Sequence, residues 1–180
     1  MGAVDDSVGS AFLTAMRENL KESVVKIRHC VEQLPDEELA WRPHEAHNSV
    51  SNIVLHLCGN VRQWIGHGVG GMPDVRNRPK EFADRAKMTG QQLLERLERV
   101  ASEADAVLVG IDPEQLLETR RIQGFDTTIM SAITNCVTHF RGHTQEIIYI
   151  TRLRLGEKYR FHFVPQGPEQ EAAHENEKRT

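Results

Sequence analysis

Disulfides, membrane spans and an excess of basic charge are all missing from this sequence. Its 180 residues hold three cysteines, Cys30, Cys58 and Cys136. That is an odd, widely spaced set with no Cys-x-x-Cys, so a disulfide scaffold is excluded and a reducing compartment is expected. No run approaches the roughly 18 apolar residues that a membrane-spanning helix needs. The N-terminal MGAVDDSVGS has no basic segment followed by an apolar one, which argues against a secretory signal. Asp6 stands where the myristoylation pattern needs Ser or Thr. Lys and Arg number 22 against 26 Asp and Glu, for a formal net charge of −4. Nucleic-acid binding would therefore lack its usual electrostatic footprint. These absences point to a soluble cytoplasmic protein with neither nucleic acid nor membrane as partner.

What is present is helical periodicity. A chain of this length reads as one domain, here residues 1–165, followed by a polar tail over 166–180 expected to be disordered. Leu13, Met16, Leu20, Ile27 and Leu34 recur at three-four spacing, with Ser23 and Cys30 in the same seam, and predict a first helix from about Ser10 to Leu34. The second starts near Ser49 or Ser51, either of which can cap it, and runs to Trp64 or Ile65. The third, about Thr89 to Gly110, carries Leu93, Leu97, Val100, Ala104, Val107 and Ile111 in a bundle seam. The fourth, about Thr127 to Leu155, carries Ile129, Ile133, Cys136, Phe140, His143, Ile147 and Ile150 and stops at Gly156. Between the second and third helices lies GHGVGGMPDVRNRPKEFADRAK, from Gly66 to Lys87, longer than ordinary bundle loops. The fold class is all-α: an antiparallel four-helix bundle with one long connection.

Chemistry concentrates in HFRGHTQE of the last helix. His139 and His143 stand four apart, on one helix face, where two imidazoles can share a metal ion. Glu146 and Cys136 lie close to the same face. This is not the zinc-protease motif, because Phe140, not Glu, follows His139. A metal would need a ligand from another helix, and His56, on the edge of the second helix's apolar arc, is the candidate. Spacing alone leaves His56 equally readable as an exposed residue. Glu146 is the candidate catalytic carboxylate, with three roles open: fourth ligand, base for bound water, or the group that orients His143. Cys136 reads as a small apolar seam residue. His44, His47 and His67 read as surface residues. The loop bases Arg76, Arg78, Lys80, Arg85 and Lys87 read as solvated, with binding of a carboxylate-bearing cofactor or substrate as the alternative.

LHLCGNVRQWI around His56 and THFRGHTQEIIYITRLRLG in the last helix together resemble the DinB-like (YfiT-like) superfamily. LPDEELAWRP and RNRPKEF resemble one of its subgroups. The resemblance extends from about Ser10 to Pro165. It implies a four-helix bundle with a long second-to-third connection and a divalent metal held by His56, His139 and His143. Zinc or nickel suits such imidazole ligands best. Members often carry Gln where Glu146 stands, so the carboxylate is a departure. Activities known in the superfamily are thiol-dependent, including bacillithiol transferases and mycothiol-dependent maleylpyruvate isomerases. The resemblance therefore implies a metal-dependent enzyme that uses a low-molecular-weight thiol and acts on a small-molecule substrate. A metal-dependent hydrolase, or a non-catalytic stress-response or binding module, remains the alternative. The aromatic arm of Tyr159, Phe161 and Phe163, together with the habit of relatives, leads to an expected homodimer.

Overall fold

The computed structural model describes residues 7–83 and 88–163. Its long helices are α1 (Val8–Val31), α2 (Val50–Val61), α4 (Gly90–Val109) and α5 (Ile129–Leu155), with a short α3 (Arg78–Ala83) inside the long connection. Each long helix starts where a hydroxyl side chain can satisfy a free backbone amide. Ser7 accepts from the Ser10 amide, Ser49 from Asn52 and Thr128 from Ser131. Thr89 and Gln92 form a reciprocal capping box at the start of α4. α5 ends at Gly156, which takes the positive φ of 55° that a side chain would resist.

Packing contacts join α1 to α4 and α5, and α2 to α4 and α5, so α1 and α2 occupy opposite corners. Side-chain pairs give the directions. Arg17 meets Asp105 and Arg28 meets Glu98, so α1 and α4 are antiparallel. His56 meets His139 and Asn60 meets Cys136, so α2 and α5 are antiparallel too. Arg141 meets Asn19, and His29 meets the carbonyl of Arg160 beyond the end of α5, so α1 and α5 run in the same direction. The long connection carries the chain between α2 and α4, which are also parallel neighbours. The all-α bundle expected from the seams is the observed architecture, and its core includes Ile27, Ile53, Leu57, Leu97 and Phe140, each at most 1% exposed.

Four features depart from the sequence expectation. The second helix runs past Ile65 as a π-helical turn, Arg62–Val69. Gly66 and Gly68 do not end it; both are buried, and Ile122 lies so close to Gly68 that a Cβ there would overlap it. Asp36–Ala40 forms a 3-10 turn where a loop was expected. Arg78–Ala83 adds a helical turn to the long connection. A hairpin of β1 (Thr119–Ile122) and β2 (Phe125–Thr128) joins the 3-10 turn Pro113–Leu117 to α5. It is the only sheet among the described residues. Only its Ile122 is buried, so it offers little of the alternation that reveals a strand. The expected polar tail, Arg85 and Lys87 lie outside the described residues. No helix among those described is long and apolar enough to cross a membrane.

Leu97 is 1% exposed at the centre of the α4 seam, so Leu97→Ala should cost about 2–5 kcal/mol. Val109→Ala, at a site 60% exposed, should stay within about 0.5 kcal/mol. Urea unfolding followed by circular dichroism measures both, and equal losses would contradict this core.

Candidate metal centre

α2 is buried along nearly its whole length, from Val50 to Val61. α4 and α5 cover part of it, and the segment around Arg76 and Glu81 and the 3-10 turn Asp36–Ala40 also pack on it. His56 therefore sits 5% exposed, and each nitrogen of a buried imidazole needs a partner. His139 and His143 come from the facing stretch of α5. The three ring centroids lie 5.2, 5.2 and 4.5 Å apart, with planes near perpendicular. One ligand atom from each ring lies within 4.8 Å of the others. The two segments that sequence reasoning connected are thus brought together.

His56 Nε2 stands 2.9 Å from His139 Nε2, and His56 Nδ1 stands 3.0 Å from Glu81 Oε2. A carboxylate only accepts, so the Nδ1 proton lies toward Glu81 and leaves the Nε2 lone pair facing the other rings. Arg76 Nη2 also lies 3.2 Å from Nδ1, but its protons have a better acceptor in Glu81. Arg76 grips that carboxylate twice, Nε to Oε1 at 2.7 Å and Nη2 to Oε2 at 2.8 Å. Their side chains are only 4% and 9% exposed.

α2 makes room for this pair at Gly59, where a Cβ would collide with the Glu81 carboxylate. Asn52 anchors the segment from below, donating from Nδ2 to the Glu81 carbonyl at 3.0 Å. Its Oδ1 accepts from Ser49 and Arg42, each at 3.0 Å.

The second carboxylate is Glu146, whose Oε2 lies 2.7 Å from His143 Nδ1. That contact matches the orienting role, one of three the sequence left open. Burial, then the neighbouring imidazoles, then Arg76 and Arg78, push the His139 pKa down to about 4. Burial also lowers that of His56, against the opposing pull of Glu81. His56 and His139 are thus held neutral, the form in which imidazole binds metal. Cys136 is buried, donates its thiol to Asn60 Oδ1 at 3.4 Å, and is pushed up to about 12 by desolvation. It is an inert seam residue, as expected. His44 and His47 are exposed, and His67 bonds the Met72 carbonyl away from the centre.

The donor set fits a divalent ion. Nitrogens about 2.0–2.1 Å from a tetrahedral centre stand roughly 3.4 Å apart, and these atoms already lie within 4.8 Å. Two of the three rings have their remote nitrogen on a carboxylate, the usual outer support of histidine ligands. Sequence reasoning missed Glu81 and Asn52 and read Arg76 as solvated. The signals were there in Gly59 and in the charge pair Arg76 and Glu81, but nothing local says that this loop folds back onto α2.

A family model described as "Protein of unknown function (DUF1572)" matches residues 7–168. No curated protein matches the chain. Among solved structures, a conserved protein of Enterococcus faecalis superposes with a TM-score of 0.68 at 16% identity, over 79% of this chain and 96% of that one. A DinB-like protein of Bacillus cereus gives 0.63 at 11%, over 77% and 90%. A DinB-like protein of Bacillus subtilis gives 0.62 at 14%, over 84% and 99%. The fold is therefore DinB-like, as the His-bearing segments implied.

With its pKa lowered in the folded state, His139 refuses a proton that the unfolded chain accepts below about 6.5. Metal-free protein should hold its full stability above that pH and lose part of it as pH falls toward 4. His139→Gln should flatten this window. Urea midpoints at pH 7.5 and 5.0 measure the effect, and an unchanged difference between wild type and variant would contradict it.

Proposed function

We propose, for a chain that belongs to the DUF1572 family of proteins of unknown function, a divalent-metal-dependent enzyme that activates a small thiol for transfer to an electrophilic small molecule. The observation that carries this reading is the convergence of three imidazoles with two of them backed by carboxylates. His56, His139 and His143 would hold the ion, and zinc or nickel suits them best. A bound divalent ion supplies Lewis acidity, lowering the pKa of a thiol or water that reaches it.

The chain's own groups do the rest. Glu81 holds the His56 ring through Nδ1, and Glu146 holds His143 in the same way, so Nε2 is the ligand atom each of these two rings would offer an ion. His139 and His143 are less buried than His56, which leaves the approach from the α5 side open to a small molecule. The chain offers no nucleophilic thiol of its own: Cys30, Cys58 and Cys136 are all buried, and burial pushes Cys58 and Cys136 up to about 12. A thiol nucleophile would come from solution. Metal-dependent hydrolysis is the second reading. It is favoured by the exposure of Glu146, at 41% of its side chain, where it can take a proton from water. The homodimer included in this proposal would use the aromatic arm, of which Phe161 and Phe163 are exposed while Tyr159 packs against the core.

Purified protein should carry one divalent ion per chain. His143→Ala should lose it, whereas Glu146→Gln should retain it with about 10–100-fold weaker affinity. Elemental analysis checks both. Unchanged metal content in the combined alanine variant at His56, His139 and His143 would place the ion elsewhere. A thermal shift with low-molecular-weight thiols, present only in loaded protein, favours the transferase reading over the hydrolase. Loaded protein indifferent to thiols and inert toward ester and amide substrates would leave the non-catalytic module.

A further inference from the structure

The β1–β2 hairpin supplies none of the three histidines, yet its turn reaches back toward them. Ile122 is fully buried and packs so tightly on Gly68 of the π-helical turn that a Cβ there would overlap it. The next residue, Gln123, holds a φ of 53°, the only non-glycine positive φ among the described residues. Such backbone is unfavourable for a side chain and persists where the surroundings enforce it. Gln123 is exposed, but its amide points back at the π-helical turn. In one amide orientation its Nε2 donates to Gln63 Oε1. In the other its oxygen accepts from Trp64 Nε1 at 3.2 Å and Arg76 Nη1 at 3.1 Å. Both orientations tie the hairpin turn to the same cluster.

Gln63 is the hub of that cluster. Its Oε1 accepts from Arg76 Nη1 at 2.9 Å, and its Nε2 donates to Asp74 Oδ2 at 2.7 Å. Asp74 Oδ1 in turn accepts from the Arg76 backbone amide at 3.0 Å. Arg76 is therefore held at its guanidinium and its backbone, on the edge opposite the one that grips Glu81. π-Helical turns are frequent at functional sites, and this one carries Gln63.

We propose that Gln63 and Gln123 are positioning residues for the metal centre. The exposed hairpin turn fixes Arg76, Arg76 fixes the Glu81 carboxylate, and Glu81 fixes the Nδ1–H tautomer of His56. The effect on metal affinity rests on the proposed reading of His56 as a ligand, but control of the His56 tautomer rests on these hydrogen bonds alone.

The test begins on metal-free protein, with the ring nitrogens of His56 observed by nitrogen-15 NMR. Wild type should show the Nδ1–H tautomer, and Gln63→Leu and Gln123→Gly should show a mixture. Gln123→Gly removes the amide while relieving the positive φ, so backbone strain cannot explain its effect. Phe125→Ala, on the same hairpin but 66% exposed, should leave the tautomer unchanged. Zinc affinity, measured by competition with a chromophoric chelator, should then fall about 3- to 10-fold in the two glutamine variants. That is less than the 10–100-fold expected when a group bonded directly to a ligand is lost. A wild-type tautomer and affinity in Gln123→Gly would overturn the proposal, and so would an equal change in Phe125→Ala. Wild type that binds no zinc would sink the proposed function alone, with the tautomers still deciding this one.

Discussion

A polar cluster buried inside an otherwise apolar helix layer is the constraint on which this molecule depends. α2 is enclosed on nearly every side, so a histidine in its middle is affordable only if both ring nitrogens find partners. One partner is an imidazole from α5. The other is a carboxylate, and a buried carboxylate needs its own compensation, which Arg76 supplies through two hydrogen bonds. A buried ion pair of this sort adds little net stability, because desolvation offsets most of the attraction. What it contributes is definition: one ring orientation and one tautomer, with the connecting segment fastened against α2.

The direction of the helices follows from the same arrangement. Two parallel neighbours, α2 and α4, cannot be joined by a tight turn, so the chain must return along the bundle. The returning segment carries Arg76 and Glu81 onto His56. The crossover that a bundle of these directions needs is thus also the piece that completes the polar cluster, and Gly59 is the notch that lets it lie flush.

Much of this was legible beforehand. The seams on α1, α4 and α5 foretold most of the core, because a three-four repeat records which face is buried. The His139 and His143 pair was visible for the same reason. His56 could not be resolved by periodicity, since its burial comes from a loop that has no period. Glu81 and Arg76 were hidden in a run of charges that is normally solvated, and Asn52 in a cap that looked complete with Ser49. The hairpin was missed because a single buried residue, Ile122, is all that distinguishes its strands from a polar connection. At each of these places the deciding contact is long-range, between residues whose local sequence prefers no particular partner.

Cys30, Cys58 and Cys136 sit one each on α1, α2 and α5, and all three are sealed in the core. A thiol in that state reacts only when its surroundings open, so its modification rate reports an opening free energy rather than its own reactivity. The chain therefore carries three built-in gauges of local breathing. If α2 opens with its loop before α1 separates from α5, Cys58 will respond sooner than Cys30, and the order of their labelling will trace how this bundle comes apart.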